Sequence, residues 1–343
     1  MDATLYASLK KEILKSCSTE QLIEIEEEVR AVLASRASEA LIATRSLSIT
    51  ACPQCGSTGN VVGHGRDAAG RQRFRCIKTP DGQGCGRTFN ALTGTPFSRM
   101  RKPELWSEFI GHFNLKSSLS KIIDTGIKIS RHTAFRWRHR FLEAFTPKKP
   151  ESLSGIVEVD EKYFLRSFKG HRGWKRQKPP EPRPPRYRGS GALLPGLSWQ
   201  QVPVLTGIDR NHKHTDAVLK SRTTAQIIEK LAPLIQPGAI LCTDDFKGYA
   251  TLANEVEAEH RVIETPKDTW LTKAVGHTPR RKGALGLGRV NSHHEMMETQ
   301  VNRIFRGVST EYLPNYLTML RFDRHQPADP MKLLKEALVS PYG

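Results

Sequence analysis

The chain has 343 residues, 38% of them hydrophobic, which is enough for two or three globular domains and too apolar for a disordered protein. Lys and Arg outnumber Asp and Glu by 53 to 35, a formal charge of +18, and a folded chain this basic repels itself unless a polyanion or acidic surface offsets it. Nucleic acid is therefore the first expected partner. No run of about 18 apolar residues could span a bilayer and no basic-then-apolar leader opens the chain, so a cytoplasmic location without a membrane partner is expected.

In chain order, Ser18-Thr-Glu-Gln21 has the form of a capping box, and Leu22, Ile23, Ile25, Val29, Val32 and Leu33 follow at helical spacing. The spacing predicts a helix over 18–38 that packs on its own domain or on a second copy. Of six cysteines, four fall between Cys52 and Cys85, while Cys17 and Cys242 stand apart. In a reducing compartment such clustering points to metal binding. Cys52 and Cys55 make a Cys-x-x-Cys knuckle with glycine after it, and Cys76 and Cys85 supply the second pair across a turn-rich insertion, Ile77 to Gly84. Four thiolates in two knuckles form a zinc ribbon, and so small an apolar-poor segment needs the metal to fold. His64 is expected at the surface.

From Pro103 to Phe145 the apolar residues recur with helical period, interrupted at Gly126. Ser130 can cap a helix whose Ala134, Trp137 and Phe141 share one face, with Arg131, Thr133, Arg136, Arg138 and Arg140 largely outside it. Helix, glycine turn and capped basic helix predict a helix-turn-helix, with Arg131, Thr133 and Arg136 placed to touch DNA.

The stretch Gly155 to Phe164 reads as a buried strand that carries Asp160 and Glu161 inside its apolar run. A buried carboxylate demands a basic side chain or a metal ion opposite it. Ala239 to Asp245 repeats the anomaly, so two acid-ended strands far apart in sequence predict one metal site. Between them lies a proline-rich basic insertion over 165–200, whose Arg172, Lys175, Arg176, Arg183 and Arg186 are expected to hold DNA phosphates without base preference. Further strands are expected at 201–209, 214–220 and 260–264, with helices at 224–235, 246–254, 291–305 and 311–324. This is the element order of a ribonuclease-H-like α/β domain. On the helix from Asn291, residues Asn291, His294, Glu295 and Glu298 fall on one face and offer a third ligand.

Taken together these motifs resemble the zinc-ribbon class of DDE insertion-sequence transposases over residues 20 to 325. They are Cys-Pro-Gln-Cys-Gly at 52–56, Arg-Phe-Arg-Cys at 73–76, Cys-Gly-Arg-Thr-Phe at 85–89, Leu-Thr-Gly-Thr-Pro at 92–96, Val-Glu-Val-Asp-Glu at 157–161, Thr-Asp-Asp-Phe-Lys-Gly-Tyr at 243–249, Val-Asn-Ser-His-His at 290–294 and Gly-Val-Ser-Thr-Glu-Tyr-Leu at 307–313. The resemblance implies a ribonuclease-H-like mixed sheet flanked by helices, preceded by a zinc ribbon and a helix-turn-helix. It implies Asp160 and Asp244 as the two catalytic aspartates, with Asp245 less constrained, and Asn291 where other transposases place glutamate. The chain departs from the pattern in its insertion between Cys76 and Cys85, and in having His294 before Glu295 with no clear lysine downstream. Its third ligand stays open among Asn291, Glu295 and Glu298.

The implied cofactors are two Mg²⁺ ions about 3.5–4 Å apart, bridged by Asp160, and one structural Zn²⁺. Expected domains are an N-terminal helical segment at 1–48, the ribbon at 49–98, the helix-turn-helix at 99–150, the catalytic domain at 151–326 and a tail at 327–343. The implied reaction cleaves element ends and joins the freed 3′-hydroxyl to target DNA, by a homo-oligomer on double-stranded DNA associated with the bacterial nucleoid when acting. A non-catalytic DNA-binding regulator and a nuclease that cuts without joining are the alternatives.

Overall fold

The structure is a computed structural model describing residues 2–145, 152–170, 198–263, 285–322 and 328–339, and its chain divides into two units: Met1–Phe145 with Phe322–Gly343, and Thr146–Arg321. The first unit opens with helices α1 (Ala3–Ser16) and α2 (Thr19–Leu47). Asp2 caps α1, and Ser18 and Gln21 cap α2 reciprocally as the capping box predicts. Two features differ from expectation. Helix α1 is additional, and α2 runs on to Leu47. Of α2 only Ser38 and Ile42 are buried, while Ile23, Val29, Val32 and Leu33 stay exposed instead of packing on their own domain.

Strands β1 (Val61–Arg66), β2 (Gln72–Cys76) and β3 (Thr88–Asn90) form an antiparallel sheet in that order. Helices α3 (Trp106–Asn114), α4 (Leu119–Asp124) and α5 (Arg131–Phe145) follow, with the turn at Gly126 between the last two. Phe97, Trp106, Phe109, Phe113, Trp137 and Phe141 are buried together, Phe109 meeting Trp137 edge-on at 5.4 Å. Aromatic burial of this kind stabilises each contact by about 0.5–1.5 kcal/mol beyond the area removed from water.

Arg138 departs from its expected outward position. It is buried, and its guanidinium donates to the Ser117 carbonyl at 2.7 Å. Helix α10 (Pro330–Val339) belongs to this unit too, packing on α3 while the Asn114 amide holds both backbone groups of Ala328. The segment expected as a tail is thus part of the first unit's core, because Leu333, Leu334, Ala337 and Leu338 are apolar and buried.

The second unit is a five-stranded mixed sheet. Strands β4 (Ile156–Leu165), β5 (Gln201–Asp209), β6 (His214–Val218), β7 (Ile240–Thr243) and β8 (Glu259–Val262) stand in the order β6-β5-β4-β7-β8. The first three pair antiparallel, and β7 and β8 add in parallel through helices α6 (Thr224–Leu231) and α7 (Lys247–Glu255). This is the ribonuclease-H-like arrangement. Alternation along β4 directs Val157 and Val159 into a core with Leu205, Ile227, Leu231, Leu241 and Leu252. Each fully buried side chain of this size contributes about 1.5–3 kcal/mol.

On the opposite face, Phe164, Val202 and Val204 pack against α8 (Gly288–Glu298) and α9 (Leu313–Leu320), and Ile208 and Cys242 against Val290. Helix α8 starts three residues before the expected Asn291 and changes at Thr299 into π-helical turns ending at Ile304. Leu165 pairs with Gln201, so the basic insertion opens from the end of the β4–β5 hairpin. Its Arg172, Lys175, Arg176, Arg183 and Arg186 lie outside the described residues, as do 264–284. Among the described residues no helix is long and apolar enough to cross a membrane.

Candidate active site

In the ribbon, Gly56 and Gly86 follow ligands and adopt φ of 74° and 72°, the left-handed turn that lets each knuckle fold back on its cysteine. The insertion between Cys76 and Cys85 closes through a Thr79–Gln83 turn. The sulfurs then converge, with Cys52–Cys85 and Cys55–Cys76 both at 3.7 Å. A tetrahedron with zinc–sulfur bonds of about 2.3 Å has edges of about 3.8 Å. All four thiol sulfurs fall in one group, so the four-cysteine set fits a structural zinc; His64 is exposed.

The acidic face of the sheet begins with register. Glu158 of β4 pairs with Cys242 of β7 in parallel, and two further residues along each strand bring Asp160 beside Asp244. Oxygens of Asp160, Glu161 and Asp244 all lie within 4.8 Å of one another. Burial pushes the Asp160 carboxyl above its usual range, and the Asp244 charge adds to that shift. Asp245, by contrast, is exposed.

The cation demanded by these acids is Arg222. Its Nε lies 3.1 Å from Glu161 and its Nη2 donates to Asp244 at 2.8 Å, with the guanidinium 4.1 Å over the Phe246 ring. Burial would lower the Arg222 pKa, but the Asp244 hydrogen bond and the Glu161 charge hold it above the ordinary value. Phe246 N–H donates to the other Asp244 oxygen at 3.1 Å and Glu161 N–H to Asp160 at 2.8 Å, which orients both carboxylates. The crowding of hard oxygens at Asp160 and Asp244 is an arrangement that a divalent cation such as Mg²⁺ relieves, so the residues fit that group.

Helix α8 lies along β4 in matched steps. Buried Glu158 accepts from the N–H groups of Arg289 (2.7 Å) and Val290 (3.1 Å), His294 Nδ1 stands 3.8 Å from Asp160, and Lys162 donates to Glu298 at 2.6 Å. Four helical residues rise about 6.0 Å and two strand residues about 6.6 Å, so 158, 160 and 162 meet 290, 294 and 298 in turn. The same step sets which α8 side chains face the sheet. Val290, His293, His294 and Met297 are the buried face, and Asn291 and Glu295, about 100° further round, are exposed. The α8 side chain that reaches Asp160 is His294. Burial lowers the His294 pKa to about 4, leaving the imidazole neutral near pH 7, the form that ligates metals.

In the first unit, a cleft of about 530 Å³ at the start of α5 is lined by Arg99, Arg101, Lys102, Lys128, Arg136 and Arg140, with Thr133 among them. Ser130 Oγ accepts from Thr133 N–H at 3.1 Å, as its capping role predicts, and Arg131 is exposed.

The model of the ISXO2-like transposase domain matches residues 152–324, half of the chain. The chain belongs to that family. The InsA N-terminal domain, a zinc ribbon, matches residues 45–78 of the chain. No curated protein matches it. A solved chain from the simian T-cell lymphotropic virus intasome in complex with PP2A regulatory subunit B56 gamma overlaps at 10% identity and a TM-score of 0.27, covering 60% of this chain and 65% of that chain. An overlap that loose carries no argument.

Sequence reasoning missed Arg222, whose position before α6 gave no signal of its own. It also missed the His214, Asp216 and His293 group, although His214 and Asp216, two apart on a strand, necessarily share a face.

Proposed function

We propose that this transposase cleaves insertion-sequence ends and joins the freed 3′-hydroxyl to target DNA by transesterification, with Asp160, Asp244 and His294 as its metal-binding residues. The observation that carries the reading is the convergence of Asp160 and Asp244 within one 4.8 Å group, on neighbouring parallel strands of the matched domain. Two Mg²⁺ ions, when bound, supply the charge that activates the attacking oxygen and stabilises the leaving one. The chain's own residues hold that chemistry in place. Arg222 and the Phe246 N–H fix Asp244, the Glu161 N–H fixes Asp160, and Glu158 docks α8 so that neutral His294 faces Asp160.

In cleavage, water attacks the phosphorus at the element end and the 3′-oxygen leaves. In joining, that 3′-hydroxyl attacks target phosphorus and the target's 3′-oxygen leaves, so one phosphodiester replaces another. Thr133 and Arg136 would contact element ends from the basic cleft, with exposed Arg131 on the same helix, and Arg172, Lys175, Arg176, Arg183 and Arg186 would hold phosphates without base preference. The insertion roots at Leu165, five residues beyond Asp160, so its base stands about 17 Å along the strand from the carboxylates. The exposed apolar residues of α1 and α2, among them Leu14, Ile23 and Leu33, support assembly as a homo-oligomer on DNA.

The test is incubation of purified protein with Mg²⁺, DNA carrying the element's ends and a target plasmid. Joined products support the reading. Binding without products would make the chain a regulator, and cut ends without joining would make it a nuclease.

A further inference from the structure

Beside Asp160, on the same face of the sheet, sits a second group of side chains able to ligate a metal, which the reaction proposed above does not use. The cross-strand row runs Asp160, Thr206, Asp216, which sets Asp216 two strands and about 10 Å from Asp160. Asp216 is fully buried, and Thr206 Oγ1 donates to its Oδ1 at 2.9 Å. His214, two residues earlier on β6, and His293, from α8, aim their Nε2 atoms at the same carboxylate. His293 Nε2 lies 3.0 and 3.1 Å from the two oxygens, and His214 Nε2 lies 3.8 Å from Oδ2. All three ligand atoms fall within 4.8 Å of one another.

A nitrogen equidistant from both carboxylate oxygens is aimed along the bisector, off the lone-pair direction that a single good hydrogen bond prefers. Donors bound to one tetrahedral ion at about 2.0–2.2 Å stand about 3.4 Å apart, and the separations here bracket that value. The carboxylate's bond from Thr206 is the kind of outer contact that orients a metal ligand. Two imidazoles and one carboxylate suit a divalent first-row transition ion, with a fourth position left for solvent.

We propose that His214, Asp216 and His293 bind a divalent transition-metal ion, zinc first among them, in a site distinct from both the four-cysteine ribbon and the Asp160–Asp244 centre. Its role is structural. The ion ties edge strand β6 to α8, and because His293 precedes His294, it fixes the helix segment that presents His294 to Asp160. The proposal stands on this constellation alone and does not require the transposase reaction to be as described above.

The test is metal content of the full chain, loaded with zinc chloride and dialysed free of excess, measured by inductively coupled plasma mass spectrometry. The expected result is two zinc ions per wild-type chain, one in His214→Ala and one in Asp216→Asn, but two in the doubly substituted Asp160→Asn, Asp244→Asn chain. The count in the Asp160→Asn, Asp244→Asn chain, whose acidic centre no longer competes for zinc, decides even where His214→Ala or Asp216→Asn fails to fold. A single zinc in the wild type would mean that the group is a metal-free hydrogen-bonded network, and would overturn the proposal. So would a second zinc that survives His214→Ala, or one lost from the Asp160, Asp244 variant.

Discussion

His294 Nδ1 stands 3.8 Å from Asp160 Oδ2 because α8 is pinned one step earlier, where Glu158 accepts the N–H groups of Arg289 and Val290. The relationship separates three residues that look equivalent along the helix. His294→Ala is expected to slow end joining by about 100-fold or more, whereas Asn291→Ala and Glu295→Ala, at exposed positions, stay within about threefold of wild type. Single-turnover joining rates of the three variants check this. A full loss in Glu295→Ala with His294→Ala active would reverse the assignment.

Arg222 serves stability as well as geometry. Its Nε faces Glu161, whose side chain is only 1% exposed, so Arg222→Met leaves a buried carboxylate without its cation. Breaking such a pair costs about 3–5 kcal/mol, and replacing both partners with apolar residues costs far less. Urea unfolding of the single variant should show that loss, with most of it recovered in Arg222→Met, Glu161→Leu.

Much of this was legible in the chain itself, and the reason differs by element. The four cysteines announce a ribbon because thiolate chemistry admits few other uses for that spacing. Asp160 and Asp244 stand out because carboxylates inside β-branched runs are costly. Which α8 side chain faces Asp160 was not legible, since Asn291, His294, Glu295 and Glu298 differ on paper only by fractions of a helical turn. It is the docking of α8 through Glu158 that turns His294 inward, and nothing in the local pattern encodes that docking. Arg138 was misplaced for a similar reason: helical spacing puts it outside the apolar face, but the Ser117 carbonyl gives its guanidinium a buried partner.

In the first unit, burial pushes the His139 pKa down to about 4, with the Arg138 charge adding to the effect. The unfolded chain takes up a proton near pH 6.5 and the folded chain does not until about 4, so stability is fully present above about 6.5 and is lost as pH falls through that window. The loss from this residue is at most about 3 kcal/mol. Denaturant midpoints between pH 7 and 4 should fall less steeply for His139→Gln than for wild type; identical slopes would contradict the assignment.

Removal of zinc from the ribbon, or Cys52→Ser, should unfold residues of about 50–95, because metal binding supplies about 10–16 kcal/mol to such modules. Loss of protection against amide exchange confined to that region, with reduced preference for element ends, is the expected outcome. Unchanged protection after verified loss of the ribbon metal would contradict the role given to the four sulfurs.

The most direct measurement of the central claim is strand joining by Asp160→Asn and Asp244→Asn beside wild type, in Mg²⁺, with binding to element ends followed in the same samples. Each substitution keeps the shape of the side chain and removes the charge that a divalent ion needs, while DNA affinity comes mainly from basic residues elsewhere. The account predicts that both variants bind ends with near-native affinity and yield no joined product. Joining at near wild-type rate by either one would contradict it.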